Sequence, residues 1–432
     1  MKKIDKKIKD LHEIFLKHPV IKRDSRKVQK GDIFWALKGE NFDGNRFAQQ
    51  ALEKGAHIAV VDDKKLDIIK EKRYFLVDDT LQALQDLANL HRDYIGMPVI
   101  AITGSNGKTT TKELVNAILS QKYNTSATRG NYNNHIGVPL TLLDIPEETD
   151  LAIVEMGSNH FGEIKQLTEI AEPDFGIITN IGKAHLEHFK DEEGVLKEKT
   201  ALYDALRARN GMVFLNADDP KLKEATKGLQ TYAFSFQNHP EAQVRLQDIS
   251  DSPQLHIRLN DTPIQTKLTG AYNLPNIGHA VAVGKFFNLS DEEIKNALEN
   301  YIPQNMRSQI IEKDGNLILL DTYNANPTSM QAALENLIRM QSPNKVAVLG
   351  DMFELGGSAP AEHQKIADFA RKHHIDTYLI GENFAATQSD FPKFKTTDEF
   401  IQSGIFKRFQ NNDILIKGSR GMQLEKILEN KN

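Results

Sequence analysis

The 432 residues carry 54 lysines and arginines against 59 acids, a net charge of −5, with 40% hydrophobic and 26% charged residues and no cysteine. That balance fits a soluble globular chain of about three domains. It offers no basic field for nucleic acid and excludes disulfides, thiolate nucleophiles and thiolate metal sites. No run approaches the eighteen or so apolar residues of a membrane span, and the charged residues 1–10 lack the apolar stretch of a signal peptide, so a cytoplasmic protein is expected.

Residues 1–97 read as a first unit. Its candidate strands are 32–37, 57–61 and 74–77, followed by a helix carrying Leu81, Leu84, Leu87, Ala88 and Leu90 at helical spacing. Pro98 opens a second unit, 98–303. Its first strand, Val99-Ile100-Ala101-Ile102-Thr103, runs into Gly104-Ser105-Asn106-Gly107-Lys108-Thr109-Thr110 and then a helix with an apolar face through Leu114, Val115 and Ile118. A glycine-rich turn between strand and helix lets backbone N–H groups close on phosphate, and the helix N-terminus adds partial positive charge. Lys108 then reaches the outer phosphates and the Thr109 hydroxyl can ligate Mg²⁺. The spacing is compact, with Ile102 where the longer P-loop has its first glycine. ATP binding is the prediction.

Further apolar strands at 151–154, 175–179 and 212–215 alternate with amphipathic stretches, the pattern of a parallel sheet covered on both faces. They end in Glu155, Asn180 and Asn216, at the carboxyl edge where such sheets bind ligands. Residues 254–270 alternate like an antiparallel hairpin, and a helix is expected over 276–287. A third unit, 304–432, starts around 304–315. It repeats strand-to-loop steps at 317–320, 346–349, 378–380 and 414–416, Rossmann-like but without the dinucleotide glycine fingerprint. In the last step Lys417 and Arg420 fall on a glycine-flanked loop. The units are expected to pack as hinged lobes around the active site.

One carboxylate and one imidazole beside a triphosphate suit Mg²⁺, which keeps waters and phosphate oxygens in its shell, and Glu155 and His185 sit where such ligands belong. Either residue by itself reads more readily as a structural side chain, and their shared place on the sheet edge that carries the P-loop reverses that reading. The series then becomes specific. Residues 103–110, Asn133-Asn134-His135-Ile136-Gly137, Glu155-Met156-Gly157, Thr179-Asn180-Ile181-Gly182-Lys183-Ala184-His185, Asn216-Ala217-Asp218-Asp219 and Asn273-Leu274-Pro275-Asn276 resemble, in order, the motifs of the Mur ligase family. Asp321-Thr322-Tyr323-Asn324-Ala325-Asn326-Pro327, Gly350-Asp351-Met352 and Lys417-Gly418-Ser419-Arg420 resemble its D-alanyl-D-alanine-adding branch.

The resemblance implies an α/β chain of three domains, a central P-loop parallel-sheet domain between an N-terminal UDP-substrate domain and a C-terminal Rossmann-like domain. The implied reaction joins D-alanyl-D-alanine to UDP-N-acetylmuramoyl-tripeptide at the expense of ATP with two Mg²⁺ ions, in a monomer. On matching positions, Lys108 holds phosphates; Thr109 and Glu155 hold one Mg²⁺ and His185 helps hold a second. Lys199 matches the family's carbamylated lysine, with Lys197 a nearby rival, since a carbamate turns a cation into a carboxylate-like ligand. Asn276 matches an adenine contact, while Arg307 and Asp321 match groups that close on ATP. Asp24-Ser25-Arg26, Asn41 and Asp43 match the uridine-nucleotide grip; Asn134, His135, Asn324, Asn326, Lys417 and Arg420 complete the expected substrate contacts. Asn45 and Tyr272 depart from the family, standing where many relatives carry histidine. A folate-polyglutamating ligase would lack the 1–97 unit, the ligase adding the third residue would show Asp-Asn-Pro-Arg in the third domain, and a nucleotide switch would not need His185 and Lys199.

Overall fold

The computed structural model describes residues 5–66, 73–251, 253–303, 306–340 and 342–429; Gln304, the expected start of the third unit, lies outside them. The chain packs as two compact units, one of residues 1–101, 123–157 and 163–175, the other of residues 102–122, 158–162 and 176–432. Both draw on the P-loop strand Val99–Thr103.

In the first unit, Ile21–Lys22, Ile33–Trp35, Ile58–Val61 and Tyr74–Leu76 form a parallel four-stranded sheet in that order. The last three are the strands expected from their apolar runs; the first is too short and polar to show a pattern. Phe34, Ala36, Ala59 and Val61 pack against Ala48, Ala51 and Leu52 from the helix Ala48–Glu53. The expected helix runs over Thr80–Ile95, where Asp79 accepts from Gln82 N at its start and Gly96, at φ 74°, ends it. Against it lies a helix unforeseen in the charged N-terminus, Lys6–Lys17, which buries Ile8, Leu11 and Phe15. Its His12 bonds His91 across the pair at 3.1 Å, and both rings are buried. Beside Val99–Thr103 this unit adds Leu151–Glu155 and, parallel to it, Thr125–Ala127, a short polar edge strand that sequence pattern missed.

In the second unit the strand order out from Val99–Thr103 is Phe175–Ile178, Met212–Asn216, Gln230–Ser235, Val244–Asp248, Gln254–Leu259 and Thr262–Thr269. The last two form the expected antiparallel hairpin. The P-loop helix Lys108–Leu119 packs on Leu274–Phe286 and Asp291–Asn300. The second of these starts in a reciprocal cap between Ser290 and Glu293.

The C-terminal sheet has the order Gln309–Lys313, Asn316–Asp321, Asp413–Lys417, Lys345–Gly350, Asp376–Ile380, Lys393–Phe394, antiparallel at the first pair and parallel elsewhere. Alternate residues feed opposite faces, as strand geometry demands. Leu319, Ala347, Leu349 and Leu415 meet Leu334 and Ala367 from the helices Pro327–Arg339 and Ala359–Lys372. Ile318, Leu320, Val346, Val348, Ile414 and Ile416 meet Phe400 and Phe409. One expectation is corrected here. Lys417 is not on a loop but ends the central strand, 1% exposed, because its register partner Asp321 gives its ammonium a buried counter-charge.

Candidate active site

The P-loop turns on Gly107, whose φ of 79° suits glycine and where a Cβ would sit 2.3 Å from Asn276 Oδ1. Asn180, at the end of the neighbouring strand, clamps the loop with one amide: Asn106 N donates to its Oδ1 at 3.1 Å, and its Nδ2 returns a bond to Asn106 O at 3.1 Å. Thr179 Oγ1 adds a bond to Asn106 O at 2.5 Å, and Ser105 exchanges bonds with Gly182 through its hydroxyl. Three of these five bonds hold the loop backbone at Asn106, and two tie the Ser105 side chain to Gly182. Lys108 Nζ lies over the turn, donating to Gly104 O at 2.7 Å and Ser105 O at 3.2 Å. Asn276, expected at adenine, accepts from Thr111 Oγ1 at 3.1 Å and so stands directly behind the P-loop helix.

Thr109, Thr110 and Glu113 of that helix share a cavity of about 330 Å³ with Asn300, Tyr301, Ile302 and Arg307. Arg307 thus lines the same cavity as Thr109, its guanidinium carbon 3.7 Å above the Tyr323 ring. Burial pushes the Tyr301 hydroxyl well above the usual phenol range, with Glu113 adding to it, so it stays protonated. The segment after Asp321 reaches the loop directly: Asn326 Nδ2 donates to Asn106 Oδ1 at 2.8 Å. Asn326 also caps the helix Pro327–Arg339 through Ser329, while exposed Asn324 bonds the next backbone N–H. Asp321 and Lys417 face each other at 2.5 Å, with Lys417 also on Asn324 O at 3.2 Å. Exposed Arg420 is held by Glu425 at 2.7 Å.

The metal-ligand candidates divide. Glu155, 1% exposed, lies in the first unit, where Asn133 Nδ2 donates to it at 2.8 Å. His185 and Lys199 lie in the second and converge on one ring: His185 is edge-on to Phe189 at 6.2 Å and Lys199 Nζ is 5.8 Å from its centroid. His185 Nδ1 meets the Glu354 carboxylate, which that contact holds below its ordinary pKa. Lys199, 1% exposed, donates to Ser158 Oγ at 2.7 Å. Among the described residues no group of three or more His, Asp or Glu side chains could hold a metal by itself.

Of the first-unit substrate candidates, Arg26, Asn41 and Asn134 are exposed, Asp24, Asp43 and His135 half-buried, and Ser25 buried. Asp24 pairs with Arg26 at 2.9 Å, and that guanidinium holds its carboxyl down at about 2. Ser25 is buried on Gln50, Asn41 is exposed, and Asp43 accepts from Asn45 N and Nδ2. Asn45, one of the two departures from family pattern, is fully used: it bridges Asp43 and Asp62 at 2.8 Å each. Asn134 caps the turn into Gly137, and His135 accepts from Gln85 through its carbonyl. Sequence reasoning missed Ser158, Glu354 and Tyr323 as partners. The clamp by Asn180 has no local signal in sequence, since only the adjacency of two strand ends creates it.

Three family descriptions match the chain: "Mur ligase family, catalytic domain" over residues 20–92, "Mur ligase middle domain" over 102–284 and "Mur ligase, glutamate ligase domain" over 306–420. The UDP-N-acetylmuramoyl-tripeptide–D-alanyl-D-alanine ligase of Bacillus subtilis is 35% identical, covering 94% of this chain and 91% of that enzyme. The enzyme of that name from Escherichia coli is 33% identical over 94% and 92%. Among solved structures, MurF from Acinetobacter baumannii matches with a TM-score of 0.84 and 32% identity, covering 95% of this chain and 92% of that one. MurF ligase from Thermotoga maritima, solved in complex with ADP, matches with a TM-score of 0.84 and 28% identity over 95% and 96%. The Mycobacterium tuberculosis folylpolyglutamate synthase, 14% identical at a TM-score of 0.61, shares the fold alone.

Proposed function

The chain belongs to the Mur ligase family, and we propose that it uses ATP to join D-alanyl-D-alanine to UDP-N-acetylmuramoyl-tripeptide, giving the pentapeptide precursor of peptidoglycan. The observation that carries this reading is the bond from Asn326 to Asn106, which brings the segment resembling the D-alanyl-D-alanine branch onto the phosphate loop. The domains are read as 1–97 for the UDP substrate, 98–303 for ATP and 304–432 for the dipeptide. Among the described residues no helix is long and apolar enough to cross a membrane. The reading assigns a cytoplasmic monomer acting on a water-soluble nucleotide substrate.

The tripeptide carboxylate attacks the γ-phosphorus, giving an acyl phosphate and ADP; the dipeptide amine then attacks the acyl carbon and phosphate leaves. Two anions meet in the first step. The chain's task is to hold them in line and neutralise charge, and Lys108 and Arg307 are the cations assigned to it. The backbone N–H groups of Gly107 and Lys108, where the helix begins, are assigned to the phosphates, while Asn106 N–H is already spent on Asn180. The amine attacks as the neutral base, so turnover rises with pH through about 8, the ordinary α-amino range.

Mg²⁺ fits the oxygen-rich donors here, which are few, as suits an ion that keeps waters and phosphate oxygens. Thr109 would hold one ion, and His185 with a carbamate on Lys199 the other. The convergence of His185 and Lys199 on Phe189 supports that pairing. When bound, the ions would neutralise charge on the transferred phosphoryl group. The test is phosphate release by purified protein with Mg-ATP, expected only when UDP-N-acetylmuramoyl-tripeptide and D-alanyl-D-alanine are both present. Equal release with single D-alanine, or with glutamate and a folate, would refute the reading.

A further inference from the structure

Arg307 is flanked by two residues in an uncommon conformation. Met306 has φ 56° and Ser308 φ 50°, both in the left-handed region, and neither is glycine. Side-chain-bearing residues adopt that region at a cost and keep it only where surrounding contacts over-determine it. Those contacts are on the page. Met306 O accepts from Thr322 N at 3.1 Å, and Met306 Sδ lies 3.1 Å from Arg420 Nη1. On the other side, Ser308, 7% exposed, shares a 2.7 Å hydrogen bond between its Oγ and the Tyr272 hydroxyl.

The Tyr272 ring is placed as firmly as its hydroxyl. It lies over the turn at Gly270, where φ is 82° and an added Cβ would stand 2.3 Å from the ring. Tyr272 is also one of the two positions where this chain departs from its family's pattern. A phenol reaches further than an imidazole, and here the extra reach ends on Ser308.

We infer that Tyr272 is a positioning residue: its hydroxyl, through Ser308, fixes the backbone that holds Arg307 in the wall of the cavity shared with Thr109 and Thr110. The inference deepens the proposed function and rests on that cavity receiving the nucleotide. Without the hydroxyl, Ser308 Oγ loses its partner and the left-handed pair can relax, re-aiming the guanidinium away from the phosphates. Tyr272 touches no reacting atom itself.

Tyr272→Phe keeps the ring and removes only the oxygen; Ser308→Ala removes the other partner. Each is expected to lower kcat/KM for ATP and the affinity for ADP about tenfold, the size of one hydrogen bond with a buried group left unpaired. The affinity for the UDP substrate should stay unchanged. The double variant should be no worse than the poorer single one, since both lose the same contact. Losses that multiply in the double variant would overturn the inference. So would a fall in kcat with every KM intact, the mark of lost folded enzyme. Ser308→Ala carries the test unaided if Tyr272→Phe does not fold. ADP titration needs no turnover: a parent protein inert in phosphate release would sink the assigned reaction, while weaker ADP binding by Ser308→Ala would still support the role of this contact.

Discussion

Lys417→Met is the most direct test of how the C-terminal sheet meets the nucleotide side. Methionine keeps the length and apolar stem of the side chain but deletes the ammonium. The lysine side chain is 2% exposed and that of Asp321 15% exposed, with Nζ also serving Asn324 O at 3.2 Å. Removing one partner of a buried pair strands the other charge, typically at about 3–5 kcal/mol. Because Asp321 keeps some access to water, the low end, about 3 kcal/mol, is expected. Urea denaturation read at the C-terminal domain should show that loss, and hydrogen exchange should quicken over residues 316–330, the segment that delivers Asn326 to Asn106. Removing both charges tells more. Lys417→Met with Asp321→Asn leaves no stranded ion and should recover most of the lost stability. A single variant within about 0.5 kcal/mol of the parent, the range of ordinary surface changes, would refute a buried ion pair at this position, as would a double variant worse than the sum of its parts.

Lys108→Ala should cut turnover by about 10²–10³-fold, typical for losing one group that stabilises transition-state charge, while UDP-substrate affinity measured by titration stays unchanged. Lys199→Ala and Lys199→Arg should both stay folded and lose most activity; added acetate should restore part of the alanine variant's activity and none of the arginine variant's. Normal turnover in Lys199→Arg would dispose of the carbamate, because arginine keeps the positive charge that a carbamate abolishes. Gly107→Ala forces a Cβ to 2.3 Å from Asn276 Oδ1 at a φ of 79°, so ATP affinity should fall at least about tenfold; unchanged affinity would mean that the loop bends freely. Burial, with His12 adding, pushes the His91 imidazole down to about 4. The unfolded chain then binds the extra proton between about 6.5 and 4, so this contribution is full above about pH 6.5 and is lost as pH falls to about 4. It amounts to about 3 kcal/mol at most, and His91→Phe should flatten the acid limb of stability against pH.

The parts of the molecule legible in sequence are those written in local pattern. The P-loop was readable because strand, glycine turn and helix all agree within twenty residues, and the buried strands because their apolar runs are unbroken. Thr125–Ala127 and Gln309–Lys313 escaped because short or edge strands carry polar residues on a pattern too brief to see. In Lys6–Lys17 the helical spacing of Ile8, Leu11 and Phe15 is masked by the lysines interleaved with them. For Lys417 the sequence misleads: Gly418 signals a turn one residue later, whereas the strand continues to meet Asp321 in register. Contacts between distant segments had no local signal. Asn106 and Asn326 are 220 residues apart, and the clamp on Asn106 arises only where two strands end side by side.

The strand order of the C-terminal sheet bears on how a ribosome must deliver this domain. Asp413–Lys417 is the last of the six strands to be made, yet it lies between Asn316–Asp321 and Lys345–Gly350, which emerge long before it. Until it arrives, the nascent chain holds two half-sheets, each presenting an open apolar edge of the kind that recruits other chains. Closing the gap requires a contact across nearly a hundred residues, from Asp321 to Lys417, so the domain can gain its native sheet only late and all at once. The buried lysine at the end of that strand then has a second use: an unpaired charge would penalise any insertion out of register, and only the native pairing brings it to Asp321.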